Sequence, residues 1–207
     1  FGIGLNGAAA YAMSRGDYQS FVVGAVGFSL ALLFDSTDGN MARASGTASP
    51  LGGVLDGLNA DLFYIAFFIP IGLGVMNSGD YQRFFDSRWI FLGLGAAATV
   101  SVLFYRKFRV QLYLSSLRSS GGPPTAPGEP VVLGFNRQWL MLGYNNFISP
   151  SGSLLAVVLL AAAFRAMDVF ILVYGVLVPV VIVLAVTYHV WKLARESPKV
   201  GPDGGRR

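Results

Sequence analysis

Hydrophobic residues collect in long runs along the chain, and the stretches between these runs carry most of the charged side chains. A helix needs about 20 apolar residues to cross a bilayer, and fewer where it packs against other helices with polar ends. On this criterion the pattern predicts five membrane helices. They cover residues 21–34, 62–76, 89–105, 139–164 and 169–190.

Two parts of the pattern are irregular. Residues 1–14 are apolar but too short for a full crossing, and with no preceding basic residue and no cleavage site they do not resemble a signal peptide. We interpret them as the end of a sixth helix that starts before the sequence given. The run 139–164 is interrupted by Asn145, Asn146 and Pro150, which predicts either a kinked helix or a shorter span preceded by an interfacial helix.

The composition indicates a polytopic membrane protein. The 207 residues are 54% hydrophobic and 13% charged, against about 25% charged in a typical soluble domain. The 26 glycines favour close helix packing in lipid, and the lack of cysteine excludes disulfides, thiolate metal sites and thiol nucleophiles. We therefore expect an all-α integral membrane protein, a bundle of six transmembrane helices with a truncated first helix, forming one domain over residues 1–196.

Basic residues predict the orientation of this bundle. Of the 15 Lys and Arg residues, four fall on one side of the predicted spans, and the rest fall on the side of the C-terminus. This bias predicts a cytoplasmic C-terminus in a plasma membrane, the inner membrane of a bacterium. The net charge of +4 then reflects topology and contact with anionic lipid rather than binding of nucleic acid. On the same side we expect an irregular loop over 119–130 and a disordered tail over 197–207.

Four aspartates stand between the first two long runs, in a chain with only 11 acidic residues. Asp35 and Asp38 end an apolar helix three residues apart, so at about 100° per residue they project from nearly the same face. Asp56 begins the returning helix. Carboxylates at a membrane boundary repel one another unless a cation lies among them, and oxygen-only ligands suit Mg²⁺ or Mn²⁺. Such a metal site usually holds a phosphate or pyrophosphate ester.

The neighbouring residues are suited to a phosphate ligand. Gly39 and Ala42 are small enough to let a ligand approach the backbone, and Arg43 can bind phosphate oxygens with its guanidinium. The alternative is that the aspartates are ordinary interfacial charges at two helix ends. Membrane ends favour Lys and Arg, which argues against that alternative.

The segment from Asp35 to Asp61 resembles the signature of the CDP-alcohol phosphotransferase family. That signature reads D-x2-D-G-x2-A-R-x8-G-x3-D-x3-D. The chain matches it at Asp35, Asp38, Gly39, Ala42, Arg43, Gly52 and Asp56. The resemblance implies six transmembrane helices, with the signature across the end of the second and the start of the third. It also implies a reaction in which an alcohol attacks the β-phosphate of a CDP-alcohol, such as CDP-diacylglycerol, and releases CMP.

The resemblance further implies roles for these residues. Asp35, Asp38 and Asp56 would bind two divalent ions, Mg²⁺ or Mn²⁺, which places Asp56 in the catalytic centre. The nucleotide would be bound by Asp35, Gly39, Ala42, Arg43 and Gly52. The fourth aspartate of the signature would bind metal or deprotonate the acceptor hydroxyl. The resemblance also implies a homodimer, because family members are often homodimers, while the residues themselves leave the oligomeric state open.

The fourth aspartate of the signature is shifted by one residue in this chain. The signature places it at position 60, which is Ala60, and Asp61 follows. On a regular helix Asp61 lies about 140° from Asp56, whereas position 60 lies about 40° away. A π-bulge between them would restore the direction. Asp61 is therefore the candidate base and metal ligand, and the alternatives are another base, an inactivated variant or a natural pseudoenzyme.

A second match concerns the acceptor alcohol. The segment FYRKFRVQ, residues 104–111, resembles the SYxKARAE segment of family members that make phosphatidylglycerol phosphate or phosphatidylinositol phosphate. Lys107 and Arg109 align with its cations, and Gln111 replaces its glutamate. We expect these cations to bind a phosphorylated acceptor or the lipid phosphate, the alternative being simple positive-inside anchoring. Arg137, on the same side, is a further candidate for phosphate binding.

Two other functions fit parts of the sequence. Aromatic prenyltransferases are also helical membrane enzymes with aspartate-rich Mg²⁺ sites, but they use two separated motifs and lack the D-G-x2-A-R block. A non-catalytic membrane protein of the same fold that binds nucleotide or metal is the other, and Ala60 is its best argument. We predict an enzyme of phospholipid biosynthesis.

Overall fold

The computed structural model describes residues 2–46, 49–79, 84–85, 87–119 and 153–196 of the chain. All regular secondary structure in this part is helical. The helices in chain order are α1 (Gly2–Arg15), α2 (Tyr18–Ala44), α3 (Pro50–Asn77), α4 (Trp89–Ser119), α5 (Leu154–Ala163) and α6 (Met167–Glu196). The prediction of an all-α protein is thus confirmed for the described residues.

Four of the described helices are long and apolar enough to cross a membrane. Their apolar spans are Tyr18–Thr37, Leu51–Asn77, Trp89–Leu112 and Met167–Lys192. Helix α5 is apolar throughout but has only 10 residues. The chain is therefore a membrane protein, while the count of six crossings, the truncation of the first helix and the orientation stay predictions.

An aromatic core joins α2, α3 and α6. The ring of Phe67 on α3 meets Phe28 of α2 at 5.1 Å between centroids and Phe170 of α6 at 6.2 Å, both edge to face. Phe68, the next residue on α3, is also fully buried and approaches Tyr174 of α6. This half of α3 is buried because its large apolar side chains contact neighbouring helices on more than one side.

Close backbone contacts at glycines hold α3 against its neighbours. A Cβ atom at Gly74 would collide with the backbone carbonyl of Met13 on α1, and one at Gly95 on α4 would come within 2.5 Å of the carbonyl oxygen of Phe68. Gly16, which links α1 to α2 with a φ of +83°, lies against the carbonyl of Gly74. Small residues allow such approach, as expected for helices that associate in lipid.

The helices extend beyond the hydrophobic runs that predicted them. Helix α2 continues ten residues past position 34 to Ala44, and α4 continues to Ser119. Helix α3 starts at Pro50 rather than at Asp56, because Ser49 caps its N-terminus and proline suits the first helical turn. Hydropathy identifies the part of a helix that lies in the membrane, whereas backbone hydrogen bonds and caps decide where the helix ends.

Several predictions concern residues outside the described part of the chain. The interruptions at Asn145, Asn146 and Pro150, the tail 197–207 and the loop 119–130, apart from Ser119, lie there. Of the predicted run 139–164, the structure describes 153–164, which contain α5.

Candidate active site

The end of α2 and the start of α3 bring the two halves of the aspartate signature together. Helix α2 ends just before Gly46, whose φ of +67° suits a glycine after a helix C-terminus. The chain returns at Ser49, whose Oγ accepts a hydrogen bond of 3.1 Å from the backbone N–H of Gly52. Gly52 therefore lies in the first turn of α3, and Asp56 lies one turn further along the helix.

Asp35 on α2 contacts Asn59 on α3. The Asn59 side-chain Nδ2 donates a hydrogen bond of 2.7 Å to Oδ1 of Asp35, and both residues are half-buried. Asn59 follows Asp56 by three residues, so the two side chains project from nearly the same face of α3. Asp56 itself is exposed. The contact thus turns the Asp56 side of α3 toward Asp35 and fixes how the two signature halves face each other.

Asp61 contacts Arg106 on α4. Its Oδ1 accepts a hydrogen bond of 2.6 Å from Nε of Arg106, and the two side chains are 28% and 31% exposed. Arg106 also donates through Nη2 to the carbonyl of Gly57 at 3.4 Å, and its guanidinium lies 5.7 Å from the centre of the Tyr64 ring. The ion pair of Asp61 and Arg106 therefore joins α3 to α4 near the aspartate signature.

The α-helical geometry explains why Asn59 and Asp61 face different helices. Helix α3 is α-helical from Pro50 to Asn77, with no π-turn between Asp56 and Asp61. Two residues along an α-helix correspond to about 200° of rotation. Asn59 therefore lies toward α2, while Asp61 lies toward α4. A base role for Asp61 stays a prediction, and the contact that the structure gives this carboxylate is Arg106.

The structure describes the other predicted site residues in less detail. Asp38, Gly39, Ala42 and Arg43 all lie in the last turns of α2, but their side chains are outside the described part of the chain. Lys107 and Arg109 are exposed on α4. Arg137 lies outside the described residues. The structure therefore brings together Asp35, Asn59 and the Asp56 face of α3, while the roles of the other residues stay predictions.

Sequence reasoning missed the two polar partners. Arg106 counts toward topology but stands between two residues of the acceptor segment, so its position was a signal for a site role. Asn59 carries a signal too, because its spacing of three from Asp56 places both on one helix face. Neither contact follows from spacing alone, since each joins residues far apart in sequence.

The oxygen atoms at this place fit a divalent cation. Among the described side chains no three His, Cys, Asp or Glu residues come close enough to hold a metal ion. However, the carboxylates of Asp35 and Asp56 are oxygen donors, and the buried Oδ1 of Asn59 has no hydrogen-bond partner. Carboxylate and amide oxygens are the ligands that Mg²⁺ and Mn²⁺ prefer, so the residues present fit a hard divalent ion.

The comparisons with known proteins agree with this geometry. The sequence profile of the family described as CDP-alcohol phosphatidyltransferase matches residues 5–128, which include most of α1, all of α2 to α4 and the whole aspartate signature. Searches of curated proteins and of solved structures found no significant match. Members of this family transfer a phosphate-containing group from a CDP-alcohol in phospholipid synthesis, generally with divalent metal ions. The family match covers more than half of the chain, and the chain belongs to the CDP-alcohol phosphatidyltransferase family.

Proposed function

We propose that this protein transfers a substituted phosphate group from CDP-diacylglycerol to a small alcohol. The observation that carries the proposal is the pair of consecutive helices α2 and α3, whose adjoining ends carry the signature of the family. The acceptor oxygen would form a new bond to the β-phosphorus, the bond to the α-phosphate oxygen would break, and CMP would leave. The hydroxyl proton would pass to a base.

The metal site of this proposal consists of Asp35, Asp38 and Asp56. When bound, two Mg²⁺ or Mn²⁺ ions would neutralise the pyrophosphate and stabilise the departing CMP. The contact of Asp35 with Asn59 supports this assignment, because it holds the α2 carboxylate on the Asp56 side of α3. A carboxylate that is already held in place loses less conformational entropy when it binds the metal.

The nucleotide would be bound by the rest of the signature. Arg43 is suited to phosphate oxygens, and Gly39, Ala42 and Gly52 leave room for the ligand beside the backbone. Gly52 lies in the first turn of α3, where the helix dipole favours an anion. Asp61 is the proposed base, and for that role it would have to leave Arg106, its partner in the structure.

A non-catalytic protein of the same fold is the second candidate. The observation that favours it is the ion pair of Asp61 with Arg106, together with Ala60 at the signature position of the fourth aspartate. Such a protein would bind nucleotide or metal at the same carboxylates without turnover. The two candidates agree on the ligand and differ only on chemistry.

The first experiment is a CMP-release assay with purified protein in detergent, CDP-diacylglycerol and Mn²⁺, across a panel of acceptor alcohols. We expect release with one acceptor. An Ala60→Asp variant runs beside it. If only that variant is active, the natural chain lacks a working base; release by neither protein across the panel would favour the binding protein.

Lys107 and Arg109 are proposed to bind the phosphate of the acceptor or of the lipid, with Arg137 as a further candidate. Both residues are exposed on α4, close in sequence to Arg106, so an anionic ligand could reach their charges. Replacing Lys107 and Arg109 by Gln should raise KM for a phosphorylated acceptor far more than for a neutral one. Lys192→Gln, on the same predicted membrane face, is the control. Equal effects on both acceptors would indicate simple anchoring.

The proposed location is the cytoplasmic face of a bacterial inner membrane. The bias of basic residues toward the C-terminal side supports it, and the site would then meet cytoplasmic nucleotide. Protease accessibility of a C-terminal tag in inside-out vesicles tests the orientation. The expected homodimer is tested by the mass of the protein in detergent micelles.

A further inference from the structure

Asn59 is a polar residue in contact with the proposed metal site, and the family signature assigns it no role. Its side chain joins α3 to α2 through one hydrogen bond, from Nδ2 to Oδ1 of Asp35 at 2.7 Å. That bond involves the side-chain nitrogen of Asn59, and the side-chain carbonyl oxygen takes no part in it. The carbonyl oxygen is buried and has no partner of its own.

A buried carbonyl oxygen without a partner is unfavourable, and buried polar groups in proteins are nearly always satisfied. Here the orphaned acceptor belongs to a side chain that already contacts a carboxylate. An acceptor beside a carboxylate is best satisfied by a positive group. Among the described residues, the nearby guanidinium of Arg106 is held by Asp61 and the carbonyl of Gly57, on the α4 side of α3.

The helical position of Asn59 agrees with its burial. It lies three residues after Asp56, about 60° from it around α3, whereas Asp61 lies about 140° from Asp56. The residue at the fourth signature position is Ala60, which has no polar side chain. Asn59 is therefore the first oxygen-bearing side chain after Asp56 on the α2 side of the helix.

We propose that Asn59 is a member of the metal site, holding Asp35 through Nδ2 and offering Oδ1 as a neutral ligand to the divalent cation. The inference rests on the proposed function, because it uses the same cation. Asn59 lies about 100° from position 60 around α3, so it would approach the cation from the other side of Asp56 and not from the place of the fourth aspartate. An amide oxygen is a ligand of the kind that Mg²⁺ and Mn²⁺ accept, but it cannot take up a proton from the acceptor.

The test measures Mn²⁺ binding by the full-length chain in detergent, following free Mn²⁺ by electron paramagnetic resonance and without any substrate. We expect Asn59→Ala to weaken Mn²⁺ binding by at least about tenfold, since loss of even an outer-shell partner typically costs 10- to 100-fold. Asn59→Asp keeps an oxygen at this position and adds charge but lacks the amide that donates to Asp35, so its Mn²⁺ affinity should fall less than that of Asn59→Ala.

The matched control is Asn77→Ala, at the other end of α3. Asn77 also donates one side-chain hydrogen bond to a neighbouring helix, at 3.0 Å to the carbonyl of Ser14. Its removal should leave Mn²⁺ affinity unchanged. This control separates a loss of helix packing from a loss of metal binding.

The outcomes separate this inference from the proposed function. If the natural chain binds Mn²⁺ and Asn59→Ala binds it equally well, the role of Asn59 is overturned while the metal site stands. If Asn59→Ala does not fold, Asn59→Leu, an apolar side chain of similar size, decides the question, and Mn²⁺ binding as tight as that of the natural chain overturns the ligand role. A natural chain that binds no Mn²⁺ overturns the metal site and Asn59 with it.

Discussion

The two halves of α3 differ in what their side chains do. The first half, residues 50–61, is largely exposed and carries Asp56, Asn59 and Asp61. The second half, residues 62–77, buries Phe67 and Phe68 and packs its backbone against α1. One continuous helix therefore anchors itself with one end and presents polar groups with the other.

This division explains how a polar site is held precisely in a lipid environment. The packed half fixes the rotation of α3 about its own axis, because its bulky residues and glycines are packed against α1, α4 and α6. That rotation then decides which polar side chain faces which neighbour in the other half. Site residues on a rigid helix are positioned better than residues on a loop.

The largest expected effect concerns the site half. Asp35→Asn should lower CMP release by more than about 100-fold, because losing a direct metal ligand exceeds the usual 10- to 100-fold cost of losing an outer-shell partner. The thermal stability of the variant should stay close to that of the natural chain. Turnover and melting in detergent are the two measurements.

Asp17→Asn is the control for that substitution. Asp17 stands between α1 and α2, and asparagine can cap a helix as aspartate does. Full activity of Asp35→Asn would remove Asp35 from the metal site. Loss of activity in both variants would point to a general effect of removing charge.

Two glycines, one in each half of α3, allow the halves to be compared by substitution. A Cβ at Gly74 would collide with the backbone carbonyl of Met13 and would meet the ring of Phe21, whereas a Cβ at Gly57 meets nothing within 4 Å. Gly74→Ala should therefore destabilise the fold by about 1–3 kcal/mol, the usual cost of overpacking. Gly57→Ala should be neutral or stabilising by up to about 1 kcal/mol, because alanine is the better helix former.

The melting temperatures of both glycine variants are measured in the same detergent. The comparison between the halves would fail if Gly57→Ala destabilised the protein as much as Gly74→Ala. It would also fail if both substitutions were tolerated equally well.

The pair of Asp61 and Arg106 tests the α4 side of the site half. Both side chains are about 30% exposed, so solvent screens the pair, and we expect a coupling of about 0.5–1 kcal/mol in unfolding free energy. The measurement is a double-mutant cycle with Asp61→Asn and Arg106→Gln. The double variant should lose less stability than the sum of the two single variants.

Turnover of the same variants separates a structural carboxylate from a base. If Asp61 serves only Arg106, the activity of the double variant returns toward that of the natural chain. If Asp61 takes the acceptor proton, Arg106→Gln restores nothing. An absence of coupling in stability would contradict the contact itself.

The smallest expected effect lies beside the packed half. Asp17 accepts hydrogen bonds from the side chain and the backbone N–H of Ser20, and these bonds lower the pKa of Asp17 below its ordinary value of 3.8. A lowered pKa in the folded state stabilises the fold above that ordinary value, and the stabilisation is lost as the pH falls through the lowered pKa.

Asp17→Ala should therefore reduce the melting temperature slightly at pH 7, where the cap is ionised, and less at about pH 3. Exposed caps of this kind contribute at the low end of the usual range of about 0.5–2 kcal/mol. Melting curves at the two pH values measure the difference. An equal loss at both would mean that the carboxylate charge plays no part.

Sequence reasoning located the helices well but not their ends. Apolar runs marked α2, α3, α4 and α6, because an apolar surface in lipid is read directly from composition. The ends were misplaced where the helix leaves the membrane, as at Ala44 and Pro50, because beyond the apolar core only caps and backbone hydrogen bonds stop a helix. Each of these four predicted spans is helical in the structure.

The candidate site was predicted in part. The signature placed Asp35 and Asp56 at the same end of two consecutive helices, and the structure has them there. The contact of Asp35 with Asn59 joins residues 24 apart in sequence, and that of Asp61 with Arg106 joins residues 45 apart. No local pattern encodes such contacts, since they depend on how each helix is rotated against its neighbour.

The sequence by itself determined the membrane class, the family and the set of carboxylates, because composition and a fixed spacing of residues do not depend on packing. It also determined that Asp61 departs from the signature. Only the tertiary structure decided which neighbours these polar residues contact. The packing of α3 against α1 and α4 fixes its rotation, so that Asn59 lies beside Asp35 and Asp61 lies beside Arg106.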